Sequence, residues 1–214
     1  MSRQGLIVKD GDRKMNENRF TAAGWAAIAS VAVFTSAWIV AGIQEAVFEL
    51  GAWERPVGVG PADFLFLVLA ALSIYVYLSF KKLMYEYYSF KEIGLIINIT
   101  IVWHILFFSG NFLLEWSLDG LWSPNDIGPD LIMTGFWIIG MAVFGIIDII
   151  FGIVLLRRWG EFSSSIKTVA ILTLIIGACE VSIILLPATL LLVPAWFIGL
   201  AFVFLRRVDE VEFV

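Results

Sequence analysis

Apolar and polar positions alternate along this chain in long blocks. Runs of mostly apolar residues, each close to the roughly 20 that a membrane-spanning helix needs, are separated by short segments that hold most of the charges. An outer-membrane barrel would instead show alternating segments of about ten residues. The pattern therefore predicts an all-α integral membrane protein, a bundle of six transmembrane helices. The predicted spans are about 20–48, 62–80, 93–115, 131–156, 166–186 and 188–205.

Composition supports the same class. Of the 214 residues, 60% are hydrophobic and 15% are charged, and the mean hydropathy is +0.92. Soluble domains are only roughly 45–50% apolar. We therefore expect the chain to lie in a lipid bilayer.

The segments that flank and divide the spans are predicted from polar residues, glycine and proline. Residues 1–19 are polar and mixed in charge, which predicts a flexible cytoplasmic tail, and residues 206–214 predict an acidic one. Pro61 suits the first turn of the second helix, and Asp63 suits its positive dipole end. Pro187 and Pro194 interrupt the 40 residues 166–205, which are predicted to form a fifth helix to about Leu186 and a sixth from about Ala188.

Orientation follows from the basic residues. With six spans and both termini cytoplasmic, only Arg55 of the 14 Lys and Arg residues falls on the outer side. The positive-inside rule requires such a bias. Five spans would put Arg206 and Arg207 on the wrong side. We expect the protein to be integral to a plasma membrane of the bacterial inner-membrane type.

The third span carries the only histidine and most of the intramembrane polar residues. Thr100, His104, Asn111 and Glu115 follow one another at steps of four, seven and four, so they share one helix face. A polar group turned toward lipid has no partner. This face, with Asn98 nearby, is therefore predicted to line a seam inside the bundle.

Two further spans add carboxyl groups to the candidate site. Asp148 lies in the fourth span between Gly145 and Gly152, which share its face and would let another helix backbone approach closely. Glu180 lies in the fifth. The candidate intramembrane polar seam therefore consists of Asn98, Thr100, His104, Asn111, Glu115, Asp148 and Glu180.

Small residues predict a second close contact. Ala22, Ala26 and Ser30 follow one another at four-residue spacing in the first span, which suits close helix packing.

Ionisable residues inside a membrane are costly and are functional candidates by default. His104, Asp148 and Glu180 are predicted near the midplane, in the cytoplasmic half and in the outer half. An acid, an imidazole and a second acid across the bilayer could pass protons, because histidine titrates near neutral pH. The alternative is that each group hydrogen-bonds a neighbouring helix and specifies packing.

Several classes of function find no support in the sequence. It contains no HExxH, GxSxG, P-loop or CxxC motif. His104 and Cys179 are each the only residue of their type, which argues against a structural zinc site and against bis-histidine haem binding. We expect no catalytic residues, no metal and no cofactor. A net charge of −5 without a basic domain gives no reason to expect nucleic acid binding.

Three functions stay open. The sequence favours a non-enzymatic packing or accessory protein that acts through helix–helix contacts, with a membrane-protein partner or a second copy of itself. The alternative is a small proton-linked transporter or channel that uses His104, Asp148 and Glu180. The third is an intramembrane enzyme with His104 as base and Asp148 or Glu180 as acid. The sequence specifies no small-molecule substrate.

Overall fold

The structure, a computed structural model, describes residues 10–49, 59–118, 128–182 and 184–205. These residues form six α-helices, and each contains a stretch long and apolar enough to cross a membrane. The predicted six-helix, all-α class is thereby confirmed. The predicted tail 206–214 and the first nine residues of the predicted tail 1–19 lie outside the described residues. The helices are α1 (Asp10–Glu49), α2 (Pro61–Tyr88), α3 (Ile93–Leu118), α4 (Gly128–Leu156), α5 (Ser164–Val181) and α6 (Thr189–Leu205).

The six helices form a closed ring. Each helix packs against the one before and the one after it, and α6 packs back against α1. Phe20 lies near the start of the apolar part of α1. The centroid of its aromatic ring is 5.9 Å from that of Tyr87 at the end of α2 and 6.3 Å from that of Phe204 at the end of α6. We call this end, with the α2–α3 and α4–α5 connections, the packed end. The opposite end, where α1, α3 and α5 end and α2, α4 and α6 begin, we call the open end.

The packed end is filled with large side chains. Phe80, Phe151, Leu155, Ile166 and Leu200 are almost completely buried there. They come from four different helices, so their burial stabilises the closed ring and not one helix pair. The centre of the ring is solid in this half of the bundle.

The closest approach between helices joins α4 and α5. A Cβ atom on Gly145 would lie 2.7 Å from the carbonyl oxygen of Gly177, and one on Gly177 would lie 2.7 Å from that of Gly145. At Gly152 the oxygen of Ala170 would be 3.1 Å away. The predicted close backbone contact beside Asp148 is confirmed.

Small residues also pack along α1, but on a slightly different face from the predicted one. Ala22 is exposed, whereas Ala23, Ala27 and Ser30 are completely buried. The buried residues are separated by four and then three positions, which keeps them on one face of a helix with 3.6 residues per turn. Residues at repeated steps of four drift around the helix, away from that face. The predicted stripe of Ala22, Ala26 and Ser30 is therefore wrong at its first residue, and Ala26 is only half-buried.

The start of α2 agrees with the sequence prediction. Pro61 is its first residue, and the Asp63 carboxylate accepts a hydrogen bond of 2.7 Å from the Gly60 N–H. This bond satisfies one of the N–H groups that a helix start leaves free.

Several helix ends differ from the predicted bounds, three of them by five residues or more. The helix α1 begins at Asp10, within the predicted flexible tail, and α2 continues eight residues past Phe80. Hydropathy marks the end of an apolar run, but charged helix formers extend a helix beyond it; Lys82 and Glu86, an i,i+4 pair 3.3 Å apart, do so in α2. The helix α5 ends at Val181, before the predicted Leu186, because the chain reverses direction there through the 3₁₀ turn Leu186–Ala188.

We predict that Gly145→Ala destabilises the fold. The added methyl group would meet the backbone of α5, which cannot move without displacing the helix, so the free energy of unfolding should fall by about 1–3 kcal/mol. Gly135→Ala is the matched control, because it lies in the same helix with open space around it. Thermal unfolding of both purified variants in detergent measures the difference. Equal stability of the two variants would contradict the close contact.

Candidate functional site

A cavity of about 120 Å³ lies in the centre of the ring, in the half toward the open end. We call it the chamber. All six helices contribute to its wall, which is mainly aromatic. Its ring-bearing lining residues are Phe34, Trp38, Phe66, Tyr77, His104, Phe107, Phe108, Trp137, Phe144, Trp196 and Phe197.

The chamber also contains both intramembrane carboxyl groups of the fourth and fifth spans. Asp148 of α4 and Glu180 of α5 line it and interact electrostatically with each other. The two helices are held together by the contact of Gly145 with Gly177, one turn from each carboxyl group. The sequence could not show whether these acids share a cavity; both line the chamber, on two helices that the glycine contact holds together.

Glu180 is the most isolated of these groups. Its side chain is only 8% exposed, and its Oε2 atom is buried without a hydrogen-bond partner among the described residues. A buried oxygen of this kind costs free energy unless something pairs with it. The Glu180 side chain is also part of the chamber wall.

His104 lies on the α3 side of the chamber. Its Nδ1 atom is 2.9 Å from the carbonyl oxygen of Thr100. A carbonyl only accepts, so Nδ1 donates and the Nε2 atom stays available for a ligand. The imidazole ring packs edge-on against Phe144 at 4.8 Å and Tyr77 at 5.3 Å, measured between ring centroids.

Tyr77 is a chamber residue that sequence reasoning missed. It is 5% exposed, lines the chamber from α2 and interacts electrostatically with Asp148 and Glu180. The sequence offers no signal for it, because Tyr75 on the same helix is of the same residue type and is 38% exposed.

Trp196 closes the α6 side through a buried hydrogen bond. Its Nε1 atom donates to the hydroxyl of Thr173 at 2.8 Å, and that hydroxyl donates to the Val169 carbonyl, also at 2.8 Å. Both side chains are almost fully buried. The bond fixes an aromatic wall residue to α5, the helix that carries Glu180.

The predicted seam on α3 divides into two places. Thr100 is fully buried and donates to the Ile96 carbonyl at 3.0 Å, one turn from His104. Asn111 and Glu115 lie nearer the open end and outside the chamber lining. There the Asn111 amide is 3.4 Å from the Glu115 carboxyl, which also interacts electrostatically with Asp63 of α2.

Asn98 lies apart from this seam. It is exposed, and its Oδ1 atom accepts a hydrogen bond of 2.8 Å from Lys81 of α2. It precedes Thr100 by two residues, and such positions point to different sides of a helix. Its assignment to the seam is therefore corrected: it joins α2 to α3 near the packed end.

The chemistry that the chamber can support follows from its polar groups. Two carboxyls, an imidazole and a phenol can exchange protons with one another or with a bound molecule. The described lining residues include no lysine or arginine. Within the described parts of the chain, no group of three or more His, Cys, Asp or Glu side chains is arranged to hold a metal ion.

Comparison with other proteins gives no assignment. The chain matches no protein family, no curated protein and no solved structure.

We predict that Thr173→Val destabilises the chamber wall. The change keeps the side-chain volume but leaves the buried Trp196 N–H without its acceptor, which should cost about 1–3 kcal/mol of unfolding free energy. The matched control is Thr168→Val on the same helix, where the hydroxyl is exposed and bonds only the Ser164 carbonyl. Unfolding of both variants in detergent checks this. A Thr173 variant as stable as the control would argue against the bond.

Proposed function

We propose that this protein is a small proton-linked transporter or channel, an integral membrane protein whose chamber holds the groups that carry the proton. One observation supports this more than any other. The three ionisable residues that the sequence distributes over α3, α4 and α5, His104, Asp148 and Glu180, all line the same cavity. Titratable groups grouped in a buried cleft are typical of functional sites.

The competing proposal, a non-enzymatic packing protein, requires buried polar groups that are satisfied by neighbouring helices. Thr173 fits that description, since it is buried and accepts a hydrogen bond from Trp196 of another helix. Glu180 does not fit it, because its buried Oε2 atom has no partner in the described parts of the chain, and the same holds for Asn111 Oδ1 and Glu115 Oε2 outside the chamber lining. Of these carboxyl groups, Glu180 is the one that shares a cavity with His104 and Asp148, which favours a site for an exchangeable proton or ligand.

An intramembrane enzyme has less support than either. The hydrogen bond that His104 forms is to a backbone carbonyl. A base that activates a nucleophile would instead lie within hydrogen-bond reach of a hydroxyl or thiol.

Two features support membrane insertion in the proposed orientation. Large apolar side chains are exposed on the outside of every helix, among them Leu95, Ile139 and Phe202, which are each more than half exposed. Basic residues gather at the packed end, where Arg158 stacks on Phe90 and Lys167 on Trp159. The described residues of the open end include no lysine or arginine. The positive-inside rule then makes the packed end cytoplasmic.

We predict opposite labelling at the two ends. A cysteine in place of Ser117, exposed near the open end of α3, should react with a membrane-impermeant maleimide in intact cells. A cysteine in place of Gly160, exposed in the α4–α5 connection, should react only after permeabilisation. Both are introduced into a Cys179→Ala background. The reverse pattern would place the packed end outside.

We predict that purified protein in liposomes carries protons down a pH gradient and that Glu180→Gln abolishes this flux. The decrease should be about a hundredfold or more, the lower end of what a positioned acid or base contributes to proton transfer. The measurement uses an internal pH-sensitive dye, with the membrane potential clamped.

The control for the flux experiment is Glu86→Gln, which removes an exposed carboxyl at the packed end. It should conduct as the wild type does. If neither the wild type nor the control carries protons, or if Glu180→Gln does so normally, the transport proposal is wrong and the packing proposal takes its place.

A further inference from the structure

We propose that the ligand of the chamber is a small substituted ammonium cation, held by the aromatic wall and by the carboxyl groups of Asp148 and Glu180. This rests on the proposed function only for the role of the ligand, because the binding itself follows from the chamber. Three features of the chamber support this ligand: its aromatic wall, its charge and its volume.

The wall suits a cation with an apolar surface. Tyr77, Phe144 and Trp196 surround the same cavity from three helices, together with further aromatic residues. Faces of aromatic rings attract cations, and cages of such rings recognise quaternary ammonium groups. In such a cage the methyl groups of the ligand contact the aromatic rings of the protein. A fully substituted ammonium group has no N–H donor that would be left without an acceptor in this apolar wall.

The charge has the matching sign. The titratable groups that face the chamber are Tyr77 from α2, His104 from α3, Asp148 from α4 and Glu180 from α5, while α1 and α6 contribute no charged group to its lining. An ionised carboxylate in an apolar site needs a positive partner. Because no lysine or arginine is among the described lining residues, that partner is a proton or a cationic ligand.

Inorganic metal ions fit less well. Calcium takes six to eight oxygen ligands, and magnesium requires near-octahedral oxygen coordination. The chamber offers two carboxyls and the hydroxyls of Ser73, Tyr77 and Thr189 in a wall that is otherwise apolar. An organic cation needs few oxygen contacts and gains from burying its own carbon atoms.

The volume limits the size of the ligand. The chamber measures about 120 Å³, and a cavity of about 150 Å³ can hold benzene. Ligands with about five heavy atoms, one fewer than benzene, are therefore of a suitable size. Tetramethylammonium is a suitable probe, and tert-butanol is its uncharged counterpart of nearly the same size.

A cation and protons compete for the same carboxyls. Binding of the cation to the pair should therefore release protons, and raising the proton concentration should weaken binding, because linkage between two ligands is reciprocal. The chamber thus supplies a direct coupling between the movement of the cation and that of protons.

The test is calorimetric titration of the purified protein in detergent with tetramethylammonium and with tert-butanol. We expect tetramethylammonium to bind at least about tenfold more tightly, the difference that a desolvated cation–π contact makes. Phe144→Leu and Glu180→Gln should each weaken the binding of the cation by about tenfold. Equal affinity for the two probes, or no binding of tetramethylammonium, overturns the proposal.

Matched controls separate the chamber from the rest of the surface. Phe64→Leu removes an exposed ring of α2, and Glu86→Gln an exposed carboxyl; both should bind tetramethylammonium as the wild type does. If Glu180→Gln does not fold, Asp148→Asn and Phe144→Leu carry the test. Cation affinity that is unchanged in the chamber variants also overturns the proposal.

Flux and binding are measured on the same preparation, so the two proposals fail separately. Cation binding without proton flux supports the ligand class and removes the transport role. Proton flux without cation binding keeps the transport role and overturns the ligand class.

Discussion

The contact between the backbones of Gly145 and Gly177 is the constraint on which the site depends. It places the backbones of α4 and α5 in close contact, and any side chain at either position would separate them. Asp148 and Glu180 each lie three residues beyond one of these glycines, on helices that run in opposite directions. The two carboxyl groups therefore lie on opposite sides of this contact along the bundle axis, and both belong to the wall of the same cavity.

A ring of six helices leaves a central space that side chains must fill or a ligand must occupy. Phe80, Phe151 and Leu200 fill it at the packed end. In the other half about 120 Å³ stays open. Protein interiors rarely contain voids much larger than a water molecule, so this space stands out from the packed half and is available to water or to a ligand.

Much of the fold could be predicted from the sequence, and less of the site. Apolar runs give the number of helices, and the position of Gly145 beside Asp148 gives the face that packs closely. Periodicity also shows which residues of α3 share a face. It does not show how the six faces meet when the ring closes, so the chamber and the pairing of Asp63 with Glu115 had no sequence signal. Tyr77 illustrates this limit. It differs from Tyr75 only in that its side chain is buried in the wall of the chamber, whereas that of Tyr75 is exposed.

In the proposed transport, the two halves of the ring would have separate roles, one in binding the ligand and the other in its passage across the membrane. A ligand that enters the chamber from the open end reaches Asp148 and Glu180 without any change in the packed half. To leave on the other side it must pass Phe80, Phe151 and Leu200, which come from three helices and are almost completely buried. Transport therefore requires α2, α4 and α6 to part at the packed end, while the glycine contact keeps α4 with α5. A moving unit that contains both carboxyl groups would carry the ligand and its charge partners together, and the contact that builds the site would then also define the part that moves.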